Sequence, residues 1–155
     1  MKFPVAAWLL FAACAEEPTE KPPESAPLFP ADYRDSYAEV RDCRKSGDHD
    51  LSFVRILTDP QATAAYENRT DVFPDSAIVL KEEYDFGDDA CTGAISQWSV
   101  MMKASAATAE LGWIWQRVGA DRSVLEENAP RCQNCHSACS GGTAVGYDYT
   151  CAEPP

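Results

Sequence analysis

The pattern of apolar and polar positions along the chain predicts a sheet accompanied by a few helices. "LGWIWQRVGA" (111–120) alternates Trp113, Trp115 and Arg117 against Ile114, Gln116 and Val118. That period of two marks a strand whose faces meet different surroundings. "DLSFVRILT" (50–58) and "AISQWSVMMK" (94–103) are rich in strand formers, and "FPDSAIVLKEEYD" (73–85) reads as a turn followed by a strand. Three stretches carry helical signals instead. "ADYRDSYAEVRDCRK" (31–45) places Tyr33, Tyr37 and Val40 on one helical face, with Gly47 placed to end it. "DPQATAAYENR" (59–69) has Asp59 at the N-cap and Pro60 at the first helical position. "SVLEENAPRCQNCHSAC" (123–139) reads as mostly helical. The order helix, strand, helix, three strands, helix predicts an α+β fold, a mostly antiparallel sheet with flanking helices. There is no internal repeat.

The first residues do not fit this pattern. "MKFPVAAWLLFAAC" is one Lys, a short apolar run and two Ala before Cys14. The run is shorter than the roughly 20 residues that cross a bilayer, and fits the h-region of a signal peptide. Its end, "LFAAC", resembles the lipobox of bacterial lipoproteins, with Phe11 where Leu is usual. That resemblance implies a lipidated Cys14 as the first mature residue; the alternative is an ordinary secretory signal cut near Ala13. Several acyl chains on Cys14 would anchor it stably. The next stretch, "AEEPTEKPPESAPLFPA", is rich in Pro, Glu and Ser and reads as an extended tether. The expected division is a leader over 1–13, a tether over 14–31 and one domain over 32–155. The expected location is the bacterial cell envelope, as a lipoprotein of the outer membrane facing the periplasm.

Charge narrows the partners. The chain carries 13 basic and 25 acidic residues, net −12; losing the leader removes only Lys2 and leaves −13. Such a surface excludes nucleic acid, whose phosphates need a basic face.

The seven cysteines carry the most chemistry. With Cys14 assigned to lipid, six remain, and thiols in an exported chain oxidise unless otherwise engaged. Cys132 and Cys135 stand in "CQNCH", the Cys-x-x-Cys-His attachment sequence of c-type haem. The two thiols add to the two vinyl groups of one haem, a single helical turn reaches both, and His136 falls under the iron as its axial ligand. Two alternatives stand beside it. Cys132, Cys135, His136 and Cys139 have zinc-ligand character, though no second pair of suitable spacing accompanies them. A disulfide scaffold with an incidental His is the other. If haem takes two cysteines, four are left and three connectivities are open; the expected pairs are Cys43–Cys91 and Cys139–Cys151.

From about Tyr33 to His136 the chain resembles the cytochrome P-460 family, which includes the cytochromes c′-beta. The resemblance lies in a strand, a "DP" helix, the "FPDSAIVLKEE" strand, two more strands and a C-terminal "CQNCH". It implies a sheet-based haem protein, one covalent haem c per chain, and a homodimer. It also gives Lys81 a meaning. Members of the P-460 type carry a lysine here, bonded to the haem macrocycle, where the c′-beta branch carries a bulky apolar residue. Lys81 shares its strand face with Ala77 and Val79, and an inward lysine needs a partner or a lost charge. One feature departs from the family. Hydroxylamine-oxidising members place a carboxylate near the position of "QWSVMM", and here no Asp or Glu occurs between Ala94 and Ala109. Glu82 or Glu83 substitutes as proton acceptor only if the strand turns one of them inward.

The remaining candidates follow from haem chemistry. His49 sits in the polar "GDHD" turn and reads as a turn residue; Met101 and Met102 are the candidates for a sixth iron ligand. Trp98, Trp113 and Trp115 read as core or pocket walls. Three functions follow. The first is a haem redox enzyme with an open iron position, oxidising a small nitrogen compound such as hydroxylamine or nitric oxide and passing electrons to a redox partner. The second is a nitric oxide or gas binder without turnover, and the third an electron-transfer cytochrome. Lys81 favours the first, the missing carboxylate the second, and the methionines the third.

Overall fold

The structure is a computed structural model and describes residues 25–47, 49–69, 72–106, 108–141 and 146–151. The leader and Cys14 lie outside the described residues. Six strands form one sheet in sequence order, every neighbouring pair antiparallel. They are β1 (Ala38–Lys45), β2 (Phe53–Thr58), β3 (Ile78–Tyr84), β4 (Ile95–Lys103), β5 (Trp113–Gly119) and β6 (Val124–Glu127). The helices are α1 (Thr63–Asn68), between β2 and β3, and α2 (Pro130–His136), after β6.

The central strands follow the patterns that predict them, and both edges differ. The stretch 31–45 is a short 3-10 turn at Tyr33–Asp35 followed by β1, not one helix. Tyr33 and Tyr37 do meet, with ring centroids 5.9 Å apart, but around that turn. β1 carries Glu39, Asp42, Arg44 and Lys45 on an open sheet edge, where charge blocks pairing with another chain. Residues 124–127 are the other edge rather than the start of a long helix; only α2 is helical there. Pro130 opens α2, where its missing N–H costs nothing. The helix expected over 59–69 begins later, at Thr63; Asp59 accepts from the Ala62 N–H at 2.8 Å and closes the turn leading into it.

The sheet has two buried faces. On one, Leu57, Ile78, Leu80, Trp98, Val100 and Val118 pack against Phe29 and Tyr33. The end of the Pro-rich stretch, expected as tether, is therefore part of the core: Phe29 is 2% exposed, and the Leu28 N–H donates to Gln116 Oε1 at 2.9 Å. Burying that ring is worth about 1.5–3 kcal/mol, enough to fix the last turn of a polar segment. On the other face, Val79, Met101, Trp113 and Trp115 pack against Ala65 and Tyr66 of α1, with Cys132 and Tyr149 beside them. Two disulfides join the periphery, Cys43–Cys91 and Cys139–Cys151, and both are the expected pairs.

Candidate functional site

The second face opens into a cleft between the sheet and α2, enclosing about 990 Å³ with its mouth included. Strand register builds its floor in rows. Val79 lies opposite Met101, and Met101 opposite Trp115. The next row is Ile56, Lys81, Ser99 and Arg117; the next is Val54, Glu83, Gln97 and Gly119. Because strand side chains alternate, Lys81 and Glu83 point to the same side, and both line the cleft. Cys132, Cys135 and His136 line it from α2. Lys81 and the cysteines and histidine of the "CQNCH" motif, singled out separately in the sequence, thus share one cavity.

The polar side of the cleft is a connected network around Glu83, which is 1% exposed. Its carboxylate accepts from Ser99 Oγ at 2.5 Å and Gln97 Nε2 at 2.6 Å, and lies 3.2 Å from His49 Nδ1. Burial pushes the Glu83 carboxyl up, but His49, Ser99 and Gln97 stabilise the anion and hold it below its ordinary value. The network continues outward. Arg117 donates to Gln97 Oε1 at 2.6 Å and to Glu126 at 3.2 Å, and Arg131 of α2 donates to Glu126 at 2.6 Å. β3 therefore supplies the carboxylate that β4 lacks. His49 sits in a turn, as expected, and also forms a wall of the cleft.

Glu82 points the other way. It is fully buried among Tyr33, Tyr84 and Arg34, accepting from the two phenols at 2.5 and 2.6 Å and from Arg34 Nε at 2.8 Å. It is a structural carboxylate and is withdrawn as a proton acceptor for the cleft. Met102 also packs on that far face, with the Phe29 cluster, and only Met101 lines the cleft. Trp98 belongs to the far face as well, donating to Tyr33 at 3.1 Å.

His136 is held from two sides. Its ring centroid lies 4.6 Å from that of Trp115, at 60°. Its Nδ1 lies 2.6 Å from the carbonyl oxygen of Tyr149. A carbonyl only accepts, so Nδ1 carries the proton and the lone pair sits on Nε2, the tautomer of a ligating histidine. Cys132 and Cys135 are both thiols, although the other four described cysteines are bridged. Burial pushes the Cys132 thiol up. Redox-active Cys-x-x-Cys pairs rest on a lowered thiol, and Cys132 departs in the other direction. The zinc reading loses Cys139 to its disulfide, and among the described residues no group of three His, Cys, Asp or Glu is placed to hold a metal ion.

A haem fits these residues. One wall offers two thiols and a histidine of the right tautomer, and Trp115 carries an indole N–H with no partner among the described residues. Fold and cleft together define a sheet-based protein with two thiols and a histidine gathered on one wall of a cleft. The sequence profile of cytochrome P460 matches residues 30–145, and the chain belongs to the cytochrome P460 family, a family of haem proteins. Comparison with the curated proteins found no match.

Sequence reasoning missed Gln97, Arg117 and Tyr149. The first two enter through register, which a single strand does not reveal. Tyr149 acts through its backbone carbonyl, which leaves no side-chain signal.

Proposed function

We propose that the protein is a c-type haem redox enzyme that oxidises a small nitrogen compound of the hydroxylamine class. The observation that carries this reading is the convergence of Cys132, Cys135, His136, Lys81 and Glu83 on one cleft. Each thiol would add across one vinyl group, a reaction that needs no oxidant. His136 would hold the iron through Nε2. Lys81, which lines the same cleft, would bond to the macrocycle; that bond would replace one N–H and one ring C–H, releasing two electrons and two protons to an oxidant of the peroxide class. The bound haem supplies an open position for the nitrogen atom and a route for electrons to an external acceptor.

The chain's own residues supply proton handling. Two-electron oxidation of hydroxylamine releases two protons along with the two electrons. Glu83 is the buried carboxylate in the cleft, and His49 stands between it and solvent, with its side chain 24% exposed. The pair provides an acceptor and an exit. Gln97 and Ser99 fix the Glu83 rotamer, so its reach into the cleft is set in advance.

A second reading, nitric oxide capture without turnover, has one observation in its favour. The donors around Glu83 that lower its affinity for a proton make it a weaker base. Steady-state assays of the haem-loaded protein with hydroxylamine and a one-electron dye separate the two. Dye reduction that depends on hydroxylamine and is lost in Glu83→Gln is the expected result. Nitric oxide binding with no dye reduction by the wild type would establish capture instead.

A further inference from the structure

We propose that the C-terminal loop 146–151 sets His136 as the axial ligand, with Asp148 as the positioning residue. This inference rests on the haem reading above. The loop also lies outside the residues that the family profile matches, 30–145.

Thr150 and Cys151 of the loop line the cleft, and the Tyr149 carbonyl oxygen lies 2.6 Å from His136 Nδ1. A tight turn aims it there. Asp148 and Tyr149 are both left-handed, with φ of 44° and 67°. Neither is glycine, and backbone of this kind persists only where its surroundings impose it. The surroundings do. The Thr150 N–H donates to the Tyr147 carbonyl at 2.8 Å, and the Tyr149 N–H donates to the Cys139 carbonyl at 2.8 Å. The Cys139–Cys151 disulfide ties the far end of the loop to the residues just after α2. At the near end, a Cβ on Gly146 would lie 2.7 Å from Cys139 Cα, so only glycine permits this approach.

Asp148 ties the turn to the sheet. Lys103 Nζ lies 2.7 and 2.9 Å from its two carboxylate oxygens, and 4.8 Å from the centre of the Trp113 ring. The pair is sheltered, with side chains 12% and 19% exposed, so it is screened less than a surface pair. The loop is thus fixed to the residues just after α2 by the disulfide and to β4 by the ion pair, and the carbonyl is pinned between them. A hydrogen bond donated by Nδ1–H makes the imidazole a stronger electron donor through Nε2, which would favour the oxidised metal.

The test uses the haem-loaded protein and the variants Asp148→Asn, Lys103→Met and Lys103→Arg. Haem staining reports attachment, urea unfolding reports stability, ferrous resonance Raman reports the iron–histidine stretch, and a spectroelectrochemical titration reports the midpoint potential. In Asp148→Asn and Lys103→Met the haem should stay attached while the stretch falls in frequency. The oxidised-to-reduced ratio at fixed potential should fall roughly tenfold, an upward shift of about 59 mV for a one-electron couple. Lys103→Arg, which keeps the ion pair, should stay near wild type and thereby shows that any change is not a general effect of the site. Lower unfolding midpoints with an unchanged stretch and potential would overturn the proposal and leave the loop a stabilising element. A wild type that carries no haem would overturn the haem reading itself, an outcome the stain distinguishes.

Discussion

Asn128 and Trp115 exchange two hydrogen bonds. The Asn128 N–H donates to the Trp115 carbonyl at 2.8 Å, and the Trp115 N–H donates to Asn128 Oδ1 at 3.0 Å. Asn128 is left-handed, with φ of 51°, and this ends β6 and turns the chain into α2. The same residue therefore fixes both the strand that carries Trp115 and the helix that lays His136 against it.

Replacing Asn128 with Ala removes one part-buried hydrogen bond and places a Cβ residue without local compensation in the left-handed region. The expected cost is about 1–3 kcal/mol. Asn128→Gly, which relieves the backbone, should cost less. Urea midpoints measure both, and equal midpoints for wild type and Asn128→Ala would remove this corner from the stability of the site.

How legible the fold was depended on where each strand sits. β5 alternates cleanly because its two faces meet different clusters, and β3 begins with an apolar run because Ile78, Val79 and Leu80 are buried on both faces. β1 and β6 are the edges, and their charges erase the period of two; Tyr33, Tyr37 and Val40 then imitate a helix. The cysteine motif was visible because it is contiguous. Glu83 was within reach of the same reasoning, since a strand that turns Lys81 inward turns Glu83 inward too. Its partners were not, because Gln97 and Arg117 come from strands whose register only the folded sheet defines.

The haem attachment makes a direct prediction. Denaturing electrophoresis with a haem stain should show covalent haem on the wild type, and the double change Cys132→Ala, Cys135→Ala should abolish it. Stain that persists in the double variant would place the attachment elsewhere.

For the leader, the expectation from "LFAAC" is a lipid-anchored mature form beginning at Cys14. Cys14→Ser should move the protein from the membrane fraction to the soluble fraction. A soluble wild type with an unmodified N-terminus contradicts the anchor.

Lys81 is tested by mass. If it is bonded to haem, its tryptic peptide should be missing at the unmodified mass in the haem-loaded protein. Lys81→Leu should keep both thioethers and the fold, since Leu fills similar volume beside Val79 and Ile56. Its absorption spectrum should become that of an ordinary five-coordinate c-type haem. An unmodified peptide in full yield from the wild type would leave Lys81 an ordinary lysine and favour gas capture.

Glu83 predicts both a pH dependence and a loss of activity. Burial raises its carboxyl, but the donors from His49, Ser99 and Gln97 outweigh that and hold it below its ordinary value in the folded state. A depressed folded value means the carboxylate stabilises the fold fully above the unfolded value, about 4.3, and less as pH falls through the folded one. Glu83→Gln lacks this contribution at every pH. The gap in urea midpoint between wild type and Glu83→Gln should therefore be constant near neutrality and shrink as pH falls below about 4.3. At neutral pH the same variant should lose hydroxylamine turnover by roughly 10²–10⁴-fold, the usual worth of a positioned proton acceptor, while nitric oxide binding persists. A midpoint gap that widens in acid would contradict the lowered value, and undiminished turnover would take the proton-acceptor role away from Glu83.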